Sequence, residues 1–240
     1  MPTAFQVLVV LLFVALVVVA IFVAHRAEKR RRELLAALAG ELGFTFDPAR
    51  DRAHDERYAQ FSVFRRGHSQ AALNTMTGVL TIDDRRFSVR MGDFEYKITS
   101  SNGKTTTTRT IRLSYVILHL PFAGIPDFWI RPETFMDKLA GMIGIDDIDF
   151  ESAEFSRKFH VKSADKRFAY DVIHPRMIEF LLANPTPSVD VERGCLCIAD
   201  QRARWSALEF RGRLDFAKSF LGLWPDHITA ALAPKEVSQA

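Results

Sequence analysis

From Ala4 to Ala24 the chain reads AFQVLVVLLFVALVVVAIFVA, 21 residues in which Gln6 is the only strongly polar side chain. At about 1.5 Å per residue this stretch makes a helix about 31 Å long, the thickness of a bilayer's hydrocarbon core. A helix packed in a water-soluble domain needs one apolar stripe, not an apolar circumference. The run therefore predicts a transmembrane anchor over residues 1–24. A cleaved signal peptide would demand a basic start, a shorter apolar stretch and a small-x-small cleavage site. Only Met1, Pro2 and Thr3 precede the run, Phe22-Val23-Ala24-His25 lacks the small residue three before a cut, and Val18-Val19-Ala20 is a weak site. An uncleaved anchor is the expectation.

The flanks orient it. Arg26, Lys29, Arg30, Arg31 and Arg32 follow the span and no basic residue precedes it. Cytoplasmic flanks carry the excess of Lys and Arg, so the N-terminus is expected outside and everything after His25 in the cytosol of a bacterial inner membrane. The same basic cluster is a candidate for contact with anionic headgroups. It also accounts for the charge of the whole chain. His25 to Glu33 holds five bases and two acids, and taking these from the totals of 32 and 29 leaves 27 of each. The rest is formally neutral and carries no electrostatic footprint for nucleic acid.

Residues 25–53 read as a basic juxtamembrane segment and an amphipathic helix. Its stripe is expected at Leu34, Leu35, Leu38 and Leu42, with Gly43 as C-terminal cap, and the helix is expected to run on from the membrane and dock on the domain. Residues 54–233 read as a cytosolic α+β domain, with an internal boundary near 121–131 if there are two units, and 234–240 as a tail. Period-two patterning predicts strands at Phe61–Phe64, at about Gln70–Met76, at Phe87–Ile98 with a bulge at Gly92-Asp93, and at Thr105–Leu120. Beyond Pro121, strands are expected at Phe128-Trp129-Ile130 and Phe155–Val161. A helix is expected to open at Arg131-Pro132-Glu133 and run to about Ile143, another to start at Asp165, with Pro175 kinking it or starting a second. Val189-Val191 and Leu196-Ile198 form a hairpin around Arg193-Gly194, and a final helix spans Leu208 to Leu223. Long strands followed by mixed elements indicate α+β, an antiparallel sheet with packed helices.

Gly103-Lys104-Thr105 repeats the end of a phosphate-binding loop. Such a loop also needs a Gly at position 98, which is Ile98, and a following helix, where this chain has four threonines. A hairpin fits instead. A two-residue turn at Asn102-Gly103 sets Phe94 opposite Ile111, Tyr96 opposite Arg109 and Ile98 opposite Thr107, so that apolar faces coincide.

Other chemistry is sparse. Asp147, Asp149 and Glu151 share a face if extended and are the candidate divalent-cation ligands, against the plainer reading of solvated acids around Ile148 and Phe150. Cys195 and Cys197 read as half-buried strand residues, since an i,i+2 disulfide is strained. Ser163-Ala164-Asp165-Lys166 and Ser101-Asn102-Gly103-Lys104 match Ser-x-x-Lys without its companion motifs. The seven histidines are scattered, with His119 and His160 expected as structural imidazoles. No catalytic residue and no cofactor are expected.

Phe64-Arg65-Arg66-Gly67, Asn74, Gly92-Asp93-Phe94-Glu95-Tyr96, the Thr-rich hairpin, Arg131-Pro132-Glu133 and Asp147-Ile148-Asp149-Phe150-Glu151-Ser152 with Phe155-Ser156-Arg157-Lys158-Phe159-His160-Val161 carry a likeness. Across roughly positions 55 to 200 the chain resembles an uncharacterised bacterial family of single-span membrane-anchored proteins with a cytosolic domain of unknown function. The resemblance implies a bacterial origin and the anchor, and brings no activity or catalytic residue. The functional expectation is a partner-binding or scaffolding module at the inner membrane, its protein partner unknown. The alternative is a membrane-tethered enzyme acting on a lipid or phosphorylated substrate with a divalent cation.

Overall fold

A computed structural model describes residues 4–133, 148–184, 188–199 and 203–234. The apolar run and the segment behind it are one unbroken helix, α1, Ala4–Leu42. It ends where expected. Gly43 takes the left-handed φ of 69°, the Phe44 amide reaches back to the Ala39 carbonyl at 2.8 Å and the Gly43 amide to Gly40 at 3.2 Å. These bonds satisfy carbonyls that a helix end leaves open. Residues 11–27 of α1 are exposed, whereas Leu35, Leu38 and Ala39 are buried with Leu42 packed beside them. Leu34, expected in the stripe, is 53% exposed. The buried spacing of 35, 38, 39 and 42 is one helical face, and 34 lies off it.

After α1 come β1 (Thr45–Asp47), α2 (His54–Arg57), a 3₁₀ turn (Ser62–Arg65), β2 (His68–Ile82), β3 (Arg85–Ser101), β4 (Thr106–His119), β5 (Phe122–Ala123) and β6 (Phe128–Pro132). Then follow α3 (Ala153–Lys158), β7 (Phe159–Ser163), α4 (Lys166–Val172), α5 (Pro175–Ala183), β8 (Ser188–Glu192), β9 (Cys195–Ala199), α6 (Ala207–Gly222), α7 (Asp226–Ala231) and β10 (Ala233–Pro234). Eight strands pair antiparallel in the order β1-β2-β3-β4-β9-β8-β6-β7, and β5 pairs with β10. The architecture is α+β.

The sheet carries a core on each face. The larger joins Met76, Leu80, Val89, Met91, Val116, Leu118 and the later strands to α1, α5 and α6. The smaller gathers Tyr58, Phe61, Phe64, Ala72, Phe94, Tyr96, Leu113, Tyr115 and Ile117 on the other side. This explains the phase change in β3 without a bulge there. Phe87, Val89 and Met91 face the first core, Phe94 and Tyr96 the second, and the strand alternates regularly throughout. The bulge sits in β2. Leu73 pairs with Asp93 and Met76 with Met91, so Asn74 and Thr75 together oppose Gly92. Asn74 bends there with φ of 50°. One extra residue reverses parity, which is why Ala72 and Met76, four apart, serve opposite cores.

The Thr-rich hairpin forms, but two residues out of the expected register. Ser101 pairs with Thr106, Ile98 with Arg109, Tyr96 with Ile111 and Phe94 with Leu113. The Asn102 carboxamide oxygen accepts from the amides of Lys104 and Thr105 at 3.1 and 2.9 Å and from the Thr105 hydroxyl at 3.1 Å. An Asx-type turn thus takes in Lys104 and Thr105, lengthening the loop to four residues. A shift of two keeps every side chain on its face, so the apolar match survives.

Other expectations change as well. Phe61–Phe64 is not a strand, because Ser62–Arg65 coils as a 3₁₀ turn that buries Val63 and Phe64. β2 runs six residues past Met76, through Gly78. Arg131 and Pro132 close β6 rather than opening a helix, and the rest of the helix expected from there, to about Ile143, falls outside the described residues. Phe155 belongs to α3, since the Ser152 hydroxyl caps it by accepting the Phe155 amide. Pro175 starts α5. Asp165 caps α4 and the hairpin at Arg193-Gly194 forms as expected, while α7 follows Pro225 where a stop was expected.

Candidate functional site

Two features lie on opposite faces of β2, β3 and β4. The first joins α1 to the sheet. Arg31 lies four residues before Leu35 on the buried stripe and therefore points at the sheet. Its Nε donates to Asp93 Oδ2 at 2.7 Å and its Nη2 to Asp93 Oδ1 at 2.6 Å, with a further bond from Nη2 to the Trp205 carbonyl at 2.9 Å. Asp93, its side chain 3% exposed, also accepts from Asn74 Nδ2 at 2.9 Å and Ser114 Oγ at 2.8 Å. The bulge places Asn74 for this bond. A charge this deeply buried needs the full set of donors. Glu28, one turn earlier, pairs with Arg204 at 2.9 Å, and Glu41 pairs with Arg211.

The second feature is a groove of about 790 Å³ on the far face, lined by β1, β2, β3 and the α2 segment. Arg57, Arg86 and Arg90 project into it, with Asp47, Asp51, Tyr58 and His119. Asp51 binds Arg57 at 2.9 Å and Arg90 at 2.7 Å. Burial pushes its carboxyl up, but the Ala53 amide and the two guanidinium groups outweigh this and hold it below the usual carboxylate range. Arg86 is exposed. The groove thus presents cationic groups, two of them, Arg57 and Arg90, held by the one Asp51 carboxylate.

Behind the groove, His54 is 0% exposed, ringed by Tyr58, Phe64, Phe94 and Tyr115 with centroids 4.6 to 5.6 Å away. Burial, reinforced by Arg90, drops its pKa to about 3, so the imidazole is neutral. The Tyr115 hydroxyl is pushed up by the same burial. His119 bridges the Tyr58 hydroxyl at 3.1 Å and the Cys195 thiol at 3.5 Å, the structural role expected of it. Cys195 and Cys197 are buried thiols outside any disulfide, and burial raises the Cys197 thiol well above its ordinary value. A thiol so placed stays protonated and unreactive.

Of the basic cluster, Arg26, Lys29, Arg30 and Arg32 are exposed on α1, while Arg31 is turned inward. Asp149 and Glu151 are exposed, and Asp147 lies outside the described residues. Among the described residues no three His, Cys, Asp or Glu side chains gather as metal ligands do. Arg131, quoted above in a motif, is buried on Asp190, with contacts of 3.3 and 3.0 Å. Asp93 and the groove arginines were not singled out by the sequence. Asp93 alone left a signal, an acid amid apolar strand residues facing a stripe that reads 28, 31, 35, 38, 42.

No protein-family model and no curated protein matches the sequence. Among solved structures, the chain is similar to the crystal structure of the mycobacterial trehalose monomycolate transport factor A, TtfA. The TM-score is 0.59 at 16% identity, over 89% of this chain and 99% of that one. At that identity the likeness is one of fold alone.

Proposed function

We propose that this chain is a single-span membrane protein whose domain, held against the cytosolic face of a bacterial inner membrane, binds a protein partner without itself catalysing a reaction. The observation that carries the reading is α1. Leu11–Leu42 is long and apolar enough to cross a membrane, with mean hydropathy 2.1 in its most apolar window and none of that window buried. The same helix is clamped to the sheet by Arg31 on Asp93. Four exposed bases behind the span support a cytosolic domain. The fold shared with a transport factor supports an accessory role beside a membrane process. The cationic lining of the groove supports recognition of a partner.

Two experiments test it. A reporter fused after Ala240 that is active only in the cytosol is expected to be active, and a periplasmic signal overturns the orientation. A photo-cross-linker at Arg86 in the intact membrane is expected to capture one protein reproducibly, identified by mass spectrometry, that also binds the purified full chain. Capture of nothing, or of a different protein each time, overturns partner binding at the groove.

A further inference from the structure

The chain reverses at Gly43, so α1 runs antiparallel to β1. Since β1 and β3 both pair antiparallel with β2, they point the same way, and α1 runs antiparallel to β3. The contacts agree. Phe44, just past the end of α1, covers Gly78, which pairs with Val89, whereas Arg31, eleven residues before that end, meets Asp93. Moving along α1 toward its apolar half is therefore moving along β3 toward the tip of the Thr-rich hairpin.

From Asp93 to Asn102 a strand advances about 30 Å, while from Arg31 to Ala24 the helix advances only about 10 Å. The tip reaches the level of Ala24 as long as the strand leans less than about 70° from the helix axis. Residues 97–110 are exposed without exception. They carry Lys97, Lys104 and Arg109, no acid, and a surface of Thr and Ser hydroxyls. The arm is held straight by its ladder and by Thr99 on Thr108 at 2.9 Å.

We propose that this arm is a second membrane contact, lying in the headgroup layer of an anionic bilayer beside the helix. The proposal rests on the reading of α1 as a membrane span. Its backbone bonds are internal to the hairpin, so the arm enters the interfacial zone with no unpaired ladder between its strands, and its charges and hydroxyls stop it short of hydrocarbon. Lys97, Lys104 and Arg109 face lipid phosphates, and the acid-free composition leaves nothing for the surface to repel.

The test uses the full chain in vesicles of phosphatidylglycerol and phosphatidylcholine, with a fluorophore on Thr107→Cys or, at the opposite end of the β2–β3 hairpin, on Thr81→Cys. The native thiols are buried and escape labelling. A quencher attached to lipid headgroups is expected to quench the probe at 107 and spare the probe at 81. Exchanging Lys97, Lys104 and Arg109 for Gln is expected to lower headgroup occupancy by about fivefold per charge removed. Equal quenching at 107 and 81, or none at 107, in protein that floats with the vesicles overturns the arm contact and leaves the span intact. Quenching unchanged in the triple Gln variant overturns the electrostatic attraction. Protein that does not float overturns the span, and the arm contact with it.

Discussion

Arg31 and Asp93, 62 residues apart, meet through two bonds of 2.7 and 2.6 Å, and that pair ties the long apolar helix to the sheet. A half-extracted charge at this site is worse than no charge. Arg31→Ala leaves Asp93 buried with only Asn74 and Ser114 as donors, and is expected to cost about 3 kcal/mol in denaturant unfolding of the full chain in detergent. Arg31→Met with Asp93→Leu is expected to recover most of that loss, because replacing both partners removes the stranded charge. A double variant no better than the single one would show that the pair does more than neutralise itself.

The pH dependence of stability has two opposed slopes. His54 is neutral in the fold down to about pH 3, while the unfolded chain protonates it near 6.5. Stability is therefore lost as pH falls below 6.5, by about 2 kcal/mol at pH 5. Glu192 runs the other way. Burial, with Asp190 and Asp127 nearby, lifts its carboxyl to about 7 against the pull of the Trp129 indole N–H. The fold then holds a proton the unfolded chain releases, and stability falls as pH rises from about 4.5 to 7. Glu192→Gln is expected to raise the melting temperature at pH 8 and leave it unchanged at pH 4. His54→Leu is expected to flatten the decline between pH 6.5 and 5.

Gly78 is read by Phe44. A Cβ on Gly78 would stand 2.1 Å from the Phe44 ring, so Gly78→Ala forces the ring and the end of α1 off the sheet. The expected cost is about 1–3 kcal/mol. In a double-mutant cycle with Phe44→Ala the two losses are expected to be less than additive, since removing the ring removes the collision.

In the groove, the three arginines separate by partner. Arg90, bonded to Asp51, serves stability as well as the groove, so its loss confounds a binding experiment. Arg86→Glu is expected to leave unfolding within about 0.5 kcal/mol and to abolish cross-linking from a photo-cross-linker at Val79, which is exposed and lines the same groove. Undiminished capture would remove Arg86 from the recognition surface.

The sequence disclosed the elements whose cause is local. The apolar circumference of residues 4–24, the cap at Gly43, the cap at Asp165 and the hairpins are written in neighbouring residues, and the structure contains them. The misplacements trace to forces that act across the chain. Phe61 to Phe64 has strand-like residues, but packing beneath the second core curls it into a 3₁₀ turn. The hairpin register slipped by two because the Asn102 side chain, not a two-residue backbone turn, closes the loop. The phase change at Gly92 is visible in the sequence of β3, yet its meaning depends on the sheet having two covered faces. The candidate site was hidden for the same reason. Arg31 sits in a run of bases that reads as one surface cluster, and only the stripe ending at Leu42 separates it from Arg30 and Arg32.

The unbroken course of α1 has a mechanical corollary. On the proposed membrane reading, α1 runs unbroken from span to clamp as an indexed shaft, and the compass bearing of the groove relative to the bilayer follows from counting residues. One Ala inserted after Ala27 would turn the domain by about 100° about the helix axis and raise it only about 1.5 Å, while an insertion of seven would nearly restore the bearing at a height about 10 Å greater.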